Sequence, residues 1–266
     1  ISINFVSLFM SRKMHITLLG TGTSQGIPVI ACDCEVCKSD NFKDKRLRCS
    51  VMLEVNNQVF VIDTGPDFRQ QMLRENVKNI DAVLFTHHHK DHVAGMDDIR
   101  AFNHKWKKDM QLYCTDITKN ALENEFPYVF TEDKYPGVPR VNINVIKNKP
   151  FQINNVTIEP IEAKHYKMSV LGFRINNFVY LTDVSYISEL EKEKMRNADL
   201  IVLDALRKKE HISHFNLEQA LNLLRDIKPK KALLTHISHY MGLHDIVNQE
   251  LPKNIKLGYD GQKIIL

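Results

Sequence analysis

Short apolar runs rich in β-branched and aliphatic residues recur along the chain, each closed by turn residues. They lie at His15–Leu19, Ser50–Val55, Val59–Ile62, Ala82–Thr86, Gln111–Cys114, Val156–Ile161, Phe178–Thr182, Leu200–Leu203, Ala232–Thr235 and Lys263–Leu266. Their length and punctuation predict strands. Helical spacing interleaves with them: Leu217, Ala220, Leu221 and Leu224 stand at i, i+3, i+4 and i+7, with Asn216 as N-cap and Pro229 beyond the last turn. Phe68–Arg74, Ile117–Glu125 and Ile187–Met195 are weaker helical segments.

Strands mixed with helices predict sheets covered by helices, an α/β or α+β layered fold. No Gly/Ser/Pro-rich linker or low-complexity tract interrupts the pattern, so one domain is expected over residues 14–266. Residues 1–10 are apolar but lack a basic start and a small-residue cleavage site; residues 1–13 form a separate stretch before the first strand pattern. They read as an N-terminal extension outside the core, too short to span a bilayer. Phe60-Val61-Ile62-Asp63-Thr64 and Phe178-Val179-Tyr180-Leu181-Thr182-Asp183 echo each other as apolar strands ending in an aspartate, which a duplicated half would explain.

Composition adds little to this until the cysteines. At 266 residues, 43% hydrophobic and 26% charged, the chain is ordinary for a folded globular protein, which argues against disorder. A net charge of +4 suits a phosphate-bearing substrate without requiring one. Five cysteines is an odd number, and Cys32, Cys34 and Cys37 crowd together. A disulfide framework prefers even numbers and spread spacing, so these thiols read as metal ligands in a reducing, cytoplasmic setting. Buried or redox-active thiols are the alternative.

The histidines carry the chemistry. Thr86-His87-His88-His89-Lys90-Asp91-His92 begins where the buried strand Ala82–Thr86 stops. In extended chain alternate side chains share a side, so His87 and His89 can face one metal while His88 and Lys90 face away. Asp91 and His92 then follow the turn and can reach a second. Imidazole and carboxylate suit zinc, manganese or iron better than magnesium or calcium. A solvated His-rich loop is the bland alternative, but further candidates follow. His165 comes after the strand Val156–Ile161 and a short loop, Asp183 ends Phe178–Thr182, and His236 ends Ala232–Thr235. A ligand at a strand end is held rigidly yet stays open to substrate.

This arrangement, Thr-His-x-His-x-Asp-His followed by single His, Asp and His residues at strand ends, resembles the metallo-β-lactamase superfamily. Val61-Ile62-Asp63-Thr64-Gly65 is similar to that family's first motif, whose buried aspartate supports the site. The likeness runs from about His15 to the C-terminus. It implies a four-layered αβ/βα sandwich with two metals in the cleft between the sheets. His87, His89 and His165 would bind one metal, Asp91, His92 and His236 the other, and Asp183 would bridge them, with Asp91 also catalytic.

A narrower resemblance follows. Leu19-Gly20-Thr21-Gly22-Thr23-Ser24-Gln25-Gly26-Ile27-Pro28 and then Cys32-x-Cys34-x-x-Cys37 resemble the phosphoribosyl cyclic phosphate phosphodiesterases of phosphonate catabolism. That likeness implies a structural zinc on Cys32, Cys34, Cys37 and His239, a closed site of three sulfurs and one nitrogen. Cys49 competes for the fourth place. Gly20–Gly26 lacks the ending of a P-loop and the spacing of a dinucleotide fingerprint, so a tight turn near the cleft is expected.

The expected activity is a dinuclear metal-dependent phosphodiesterase that opens a small cyclic phosphate ester by attack of a metal-bridged hydroxide. His214, just before the helix that starts near Asn216, is the candidate general acid, with His211 as competitor and a capping or surface role as the alternative. Arg207, Lys208 and Lys209 are either phosphate contacts or a solvated charge run. The cofactors expected are two divalent ions, manganese or zinc with iron third, plus one structural zinc. The partner expected is a small phosphate ester; nucleic acid and membrane are not expected, and a homodimer is left open. The rivals are a tRNA 3′-processing endonuclease, for which only the short basic run His104–Lys108 speaks, a thioester or lactone hydrolase, and a metal-binding protein without catalysis.

Overall fold

The computed structural model describes residues 13–133 and 135–266. The expected extension therefore lies outside the described residues, apart from Lys13. The strands are β1 (His15–Gly20), β2 (Ser50–Val55), β3 (Gln58–Ile62), β4 (Ala82–Leu84), β5 (Met110–Cys114), β6 (Val141–Val145) and β7 (Phe151–Ile153). Then come β8 (Val156–His165), β9 (Met168–Ile175), β10 (Phe178–Leu181), β11 (Leu200–Asp204), β12 (Lys231–Thr235), β13 (Ile255–Leu257) and β14 (Lys263–Ile265). They form two seven-stranded sheets, ordered β14-β1-β2-β3-β4-β5-β6 and β13-β12-β11-β10-β9-β8-β7.

Alternation along each strand assigns its side chains to two different cores. In β3, Phe60 and Ile62 pack between the sheets, whereas Val61 faces the helices Phe68–Arg74 and Asp116–Glu125. In β10, Phe178 and Tyr180 point to the inter-sheet core, and Val179 and Leu181 to the helices Leu217–Ile227 and His244–Glu250. Both faces of each sheet are thus buried, which is why the strands read as nearly continuous apolar runs. The result is the four-layered sandwich. Each fully buried phenylalanine in the inter-sheet core contributes roughly 1.5–3 kcal/mol from area removed from water.

Local chemistry fixes the element ends. Asn216 Oδ1 accepts from Gln219 N at 2.8 Å while Gln219 Oε1 accepts from Asn216 N at 2.9 Å, a reciprocal cap on the helix Leu217–Ile227. Lys228 then adopts φ 56° and Pro229 ends the run. The β2–β3 and β9–β10 hairpins both turn through asparagines with positive φ, Asn56, Asn57 and Asn176, a conformation asparagine tolerates well. Each hairpin is followed by three parallel pairings, β3 to β6 and β10 to β13. The echo between the two segments is thus an echo of topology.

Four strands escape the hydrophobic pattern: β6, β7, β9 and β13. β8 is also longer than Val156–Ile161 suggests. Glu162 and Lys164 look like loop residues but alternate with buried Ala163 and His165, and the strand pairs with β9 as far as His165↔Met168. His165 is the last residue of that strand, with no loop before it. Pro160 is tolerated because β7 pairs only with Val156–Ile158, leaving that side of β8 an edge. β8, β10, β11 and β12 run in one direction, as do β3 and β4, so their carboxyl ends gather at one rim of the sandwich. No helix among the described residues is long and apolar enough to cross a membrane.

Candidate metal centre

At the end of β3, Asp63 turns back with φ 66° and is completely buried. Its Oδ1 accepts from Thr86 N at 2.8 Å, and its Oδ2 accepts from Thr86 Oγ1 at 2.8 Å and faces His92 Nδ1 at 2.7 Å. A carboxylate only accepts, so His92 carries its proton on Nδ1 and turns Nε2 inward. The Thr86 hydroxyl donates its proton to Asp63, so its oxygen accepts from His87 Nδ1 at 3.0 Å. His165 Nδ1 donates to Ser213 O at 2.7 Å. Three imidazoles are therefore held in the tautomer that presents Nε2 to one place, as oriented metal ligands are.

The inward atoms converge. His92 Nε2 lies 3.2 Å from both Asp91 Oδ2 and Asp183 Oδ2, and His236 Nε2 lies 3.2 Å from Asp183 Oδ1 and 3.5 Å from Asp91 Oδ2. His87, His89, His165 and Asp183 form a second group with ligand atoms within 4.8 Å of one another. Asp183 belongs to both. Asp91 and His92 sit in the short helix Lys90–Val93, while Lys90 turns outward to pair with Glu125. His88 is half-buried and takes no part. His87 Nε2, His92 Nε2 and His236 Nε2 are buried without a hydrogen-bond partner. Orphaned nitrogens of this kind normally cost 1–3 kcal/mol each, and cations at their meeting points would satisfy them.

Electrostatics point the same way. Burial raises Asp91, but His92 and His236 outweigh it and hold the carboxyl well below its usual range. Burial lowers His92, yet Asp91 and Asp183 drive it well above the usual imidazole value. His236 is likewise pulled down by burial, but Asp183 and Asp91 bring it up to about 9. The carboxylates demand positive charge at their centre, which protons supply only by occupying the ligand atoms. Asp183 and His236 adopt φ 57° and 56°, a left-handed conformation uncommon for residues other than glycine, in which aspartate and histidine are among the better tolerated.

His214 is 8% exposed, not a surface residue. Its Nδ1 lies 3.2 Å from Asp204 Oδ2 and 3.8 Å from Asp183 Oδ1. Asp204 also accepts from Val184 N at 3.0 Å; its other oxygen stands 3.8 Å from His236 Nδ1 without a hydrogen bond, so this carboxylate orients His214 and adds negative charge beside His236. Nothing was assigned to Asp204 from sequence, although it ends an apolar strand as Asp183 does; that signal was present. His211 Nδ1 is occupied locally by Ser213. Lys208 pairs with Glu250 and Arg207 donates to carbonyls of its own loop. That is the solvated charge-run arrangement.

A second cluster stands apart. His239 Nδ1 lies 3.2, 3.4 and 3.5 Å from the sulfurs of Cys32, Cys34 and Cys37. The Cys37 amide donates to Cys34 Sγ and the Val29 amide to Cys37 Sγ. The first of these contacts is the main reason Cys34 is brought down to about 6, whereas burial pushes Cys37 up to about 11 beside it. Crowded thiols resist sharing negative charge, and a cation would stabilise all three together. Cys49, the competing fourth ligand, is not there: it lies beneath the histidine cluster, 3.5 Å from Thr182 Oγ1. The turn Thr23–Gly26 closes through Gly26 N to Thr23 O, and Gly22 bridges to Ile237 beside His236.

The model of the beta-lactamase superfamily domain matches residues 58–237, spanning β3 through His236 and so every strand end described above. The chain belongs to the beta-lactamase superfamily of metal-dependent hydrolases. Within it, the crystal structure of a diphosphatase from the PhnP family is 36% identical, superposes with a TM-score of 0.90 and covers 96% of this chain and 97% of its own. An octanoyltransferase of Porphyromonas gingivalis is 37% identical over 256 residues, 95% of this chain. The chain spans only about half of that relative, 52% of its length. Zn²⁺-bound PqqB from Methylobacterium extorquens shares the fold at a TM-score of 0.77 and 16% identity, over 94% of this chain and 99% of its own. Divalent metal ions belong to this superfamily, and the orphaned nitrogens around Asp183 fit them.

Proposed function

We propose that this superfamily member hydrolyses a phosphodiester bond in a small phosphate ester, with a cyclic ester such as a phosphoribosyl cyclic phosphate first among the candidates. The observation that carries this reading is His214, buried at the rim of the cluster and oriented by Asp204. His87, His89 and His165 would hold one cation, Asp91, His92 and His236 the other, with Asp183 shared. Nitrogen and carboxylate donors of this kind suit manganese, zinc or iron. When bound, such cations supply Lewis acidity toward phosphoryl oxygens and a nucleophile drawn from water at neutral pH.

The protein's own contribution is positioning and proton transfer. Asp204 faces His214 Nδ1, leaving Nε2 as the nitrogen that meets substrate. As the water oxygen joins phosphorus and the bond to the alkoxide breaks, His214 gives its proton to the departing oxygen. Ser213 O and Thr86 keep their imidazoles from rotating, and buried Asp63 keeps Thr86 and His92 in register. Cys32, Cys34, Cys37 and His239 would hold a structural zinc that fastens the loop after β1 to the segment after His236.

Replacing His214 with alanine tests the acid role. Turnover of a cyclic or alkyl phosphodiester should fall on the order of 10²–10⁴-fold. A p-nitrophenyl diester, whose leaving group needs little protonation, should lose far less. Equal losses on both remove His214 from this role. A second reading, cleavage of a diphosphate bond, is favoured by the diphosphatase relative. Phosphate is a good leaving group, so a diphosphate substrate that is turned over faster than any diester and is indifferent to His214→Ala would select that reading. Faster turnover of precursor tRNA or of an octanoyl thioester would displace both.

A further inference from the structure

Beneath the histidine cluster, on the side of the first sheet, lies a sulfur that the reading above leaves unused. Cys49 immediately precedes β2 and is 1% exposed. The β2–β3 pairing, Val51↔Ile62, brings Cys49 to the same sheet rim as Asp63 and Thr64. Its Sγ and the ligand atoms of His92, Asp183 and His236 all lie within 4.8 Å of one another. Two of those atoms, His92 Nε2 and His236 Nε2, are buried and unpartnered, as is the neighbouring Tyr180 hydroxyl. A sulfur among unpaired imidazole nitrogens and a carboxylate is a donor set rather than a packing contact.

We propose that Cys49 is a thiolate donor to the metal position formed by Asp91, His92, Asp183 and His236, and that it makes this position prefer zinc or ferrous iron over manganese. The inference rests on reading the cluster as a dinuclear centre. It follows from softness: the opposite position, His87, His89 and His165, contains no sulfur, so the two positions differ in kind. As the cation binds, the sulfur–metal bond forms and the thiol proton passes to solvent. The competing arrangement is a packed thiol that acts only through Thr182, whose hydroxyl donates to Asp183 Oδ2 at 2.8 Å. In that case sulfur never touches the cation.

Cobalt(II) titration of the metal-free full chain separates these cases. The Cys32 group should contribute a near-ultraviolet sulfur-to-cobalt band in every variant. The unmutated protein should add a further increment as the histidine centre fills. Cys49→Ser and Cys49→Ala should both lose that increment while binding the same amount of cobalt. Their zinc-over-manganese preference should fall on the order of tenfold. X-ray absorption at the cobalt edge of the unmutated protein, which needs no variant, should count one more sulfur contact than Cys32, Cys34 and Cys37 provide. An unchanged increment in the Cys49 variants overturns the proposal and leaves the centre standing. Cobalt bound only at the Cys32 group, in an amount that Asp91→Asn does not alter, overturns the centre and the proposal together.

Discussion

Asp63 shows how a single residue governs several others. Its two oxygens meet three groups, Thr86 N, Thr86 Oγ1 and His92 Nδ1, with no solvent nearby. Asparagine in its place offers one acceptor and a pair of N–H donors, so one buried donor would face another. Asp63→Asn should therefore release both His92 and the Thr86–His87 contact, lowering metal affinity on the order of 10–100-fold. Metal retention after dialysis against a chelator measures this directly, and retention equal to the unmutated protein would show that Asp63 does not hold the ligands. The left-handed φ of Asp63, Asp183 and His236 belongs to the same scale. Each residue bends the chain at its strand end, which brings Asp183 and His236 into the cluster and Asp63 behind it.

Among the elements, the segment after β3 and the helix Lys90–Val93 meet backbone to backbone. A Cβ on Gly65 would lie 2.2 Å from Asp91 O, and one on Gly95 would lie 2.1 Å from Gly65 O. Both partners are backbone, so relief requires moving the segment that bears Asp91 and His92. Gly65→Ala should shift these donors by a fraction of an ångström to an ångström and lower turnover on the order of 100-fold. Circular dichroism should report an intact fold, because the two sheets do not depend on this contact; loss of the fold instead would make Gly65 a residue of global stability. The other end of the sandwich is regular. There the hairpin asparagines and the left-handed Lys228, which closes the helix Leu217–Ile227, set element boundaries with ordinary turn chemistry.

At the scale of the whole molecule, long-range ties join the loops around β1 to the C-terminal segment. His239 meets three cysteines about 200 positions earlier in the chain. His239→Ala should lower the melting temperature more than it lowers turnover per folded molecule, and chelation of the structural zinc should act alike; a large turnover loss at unchanged stability would move this cluster into the catalytic machinery. Nearby, buried Arg46 donates to Thr21 Oγ1 and reaches His244 Nδ1 at 3.0 Å. Burial, then Arg46 and Lys43, bring His244 down to about 4 from its usual 6.5. The unfolded chain takes up this proton first, so the contribution is fully present above pH 6.5 and is lost as pH falls toward 4, up to about 3 kcal/mol. Asp260, which burial raises to about 6, has the opposite sign between 3.8 and 6. Comparison of variants therefore isolates His244: His244→Asn, which keeps an acceptor for Arg46, should lose less stability than the unmutated protein between pH 7 and 4. Parallel stability curves would exclude His244 as the cause. Much of this molecule was legible without coordinates. Apolar runs bounded by turns located ten of the strands, and the histidine motif with its strand-end partners named the imidazoles and carboxylates that the structure gathers around Asp183. Residue type and spacing act locally, and a metal donor set is written in residue types. β6, β7, β9 and β13 carried no such local pattern, and β8 ran past its apolar stretch because Glu162 and Lys164 occupy the outward face of a paired strand. Only the tertiary structure decided that Cys49 lies with the histidines rather than with the other cysteines, that Asp204 orients His214, and that His214 is buried. Those facts depend on which strands run side by side and in which direction, and that is settled by the burial of two sheets against each other across the whole chain.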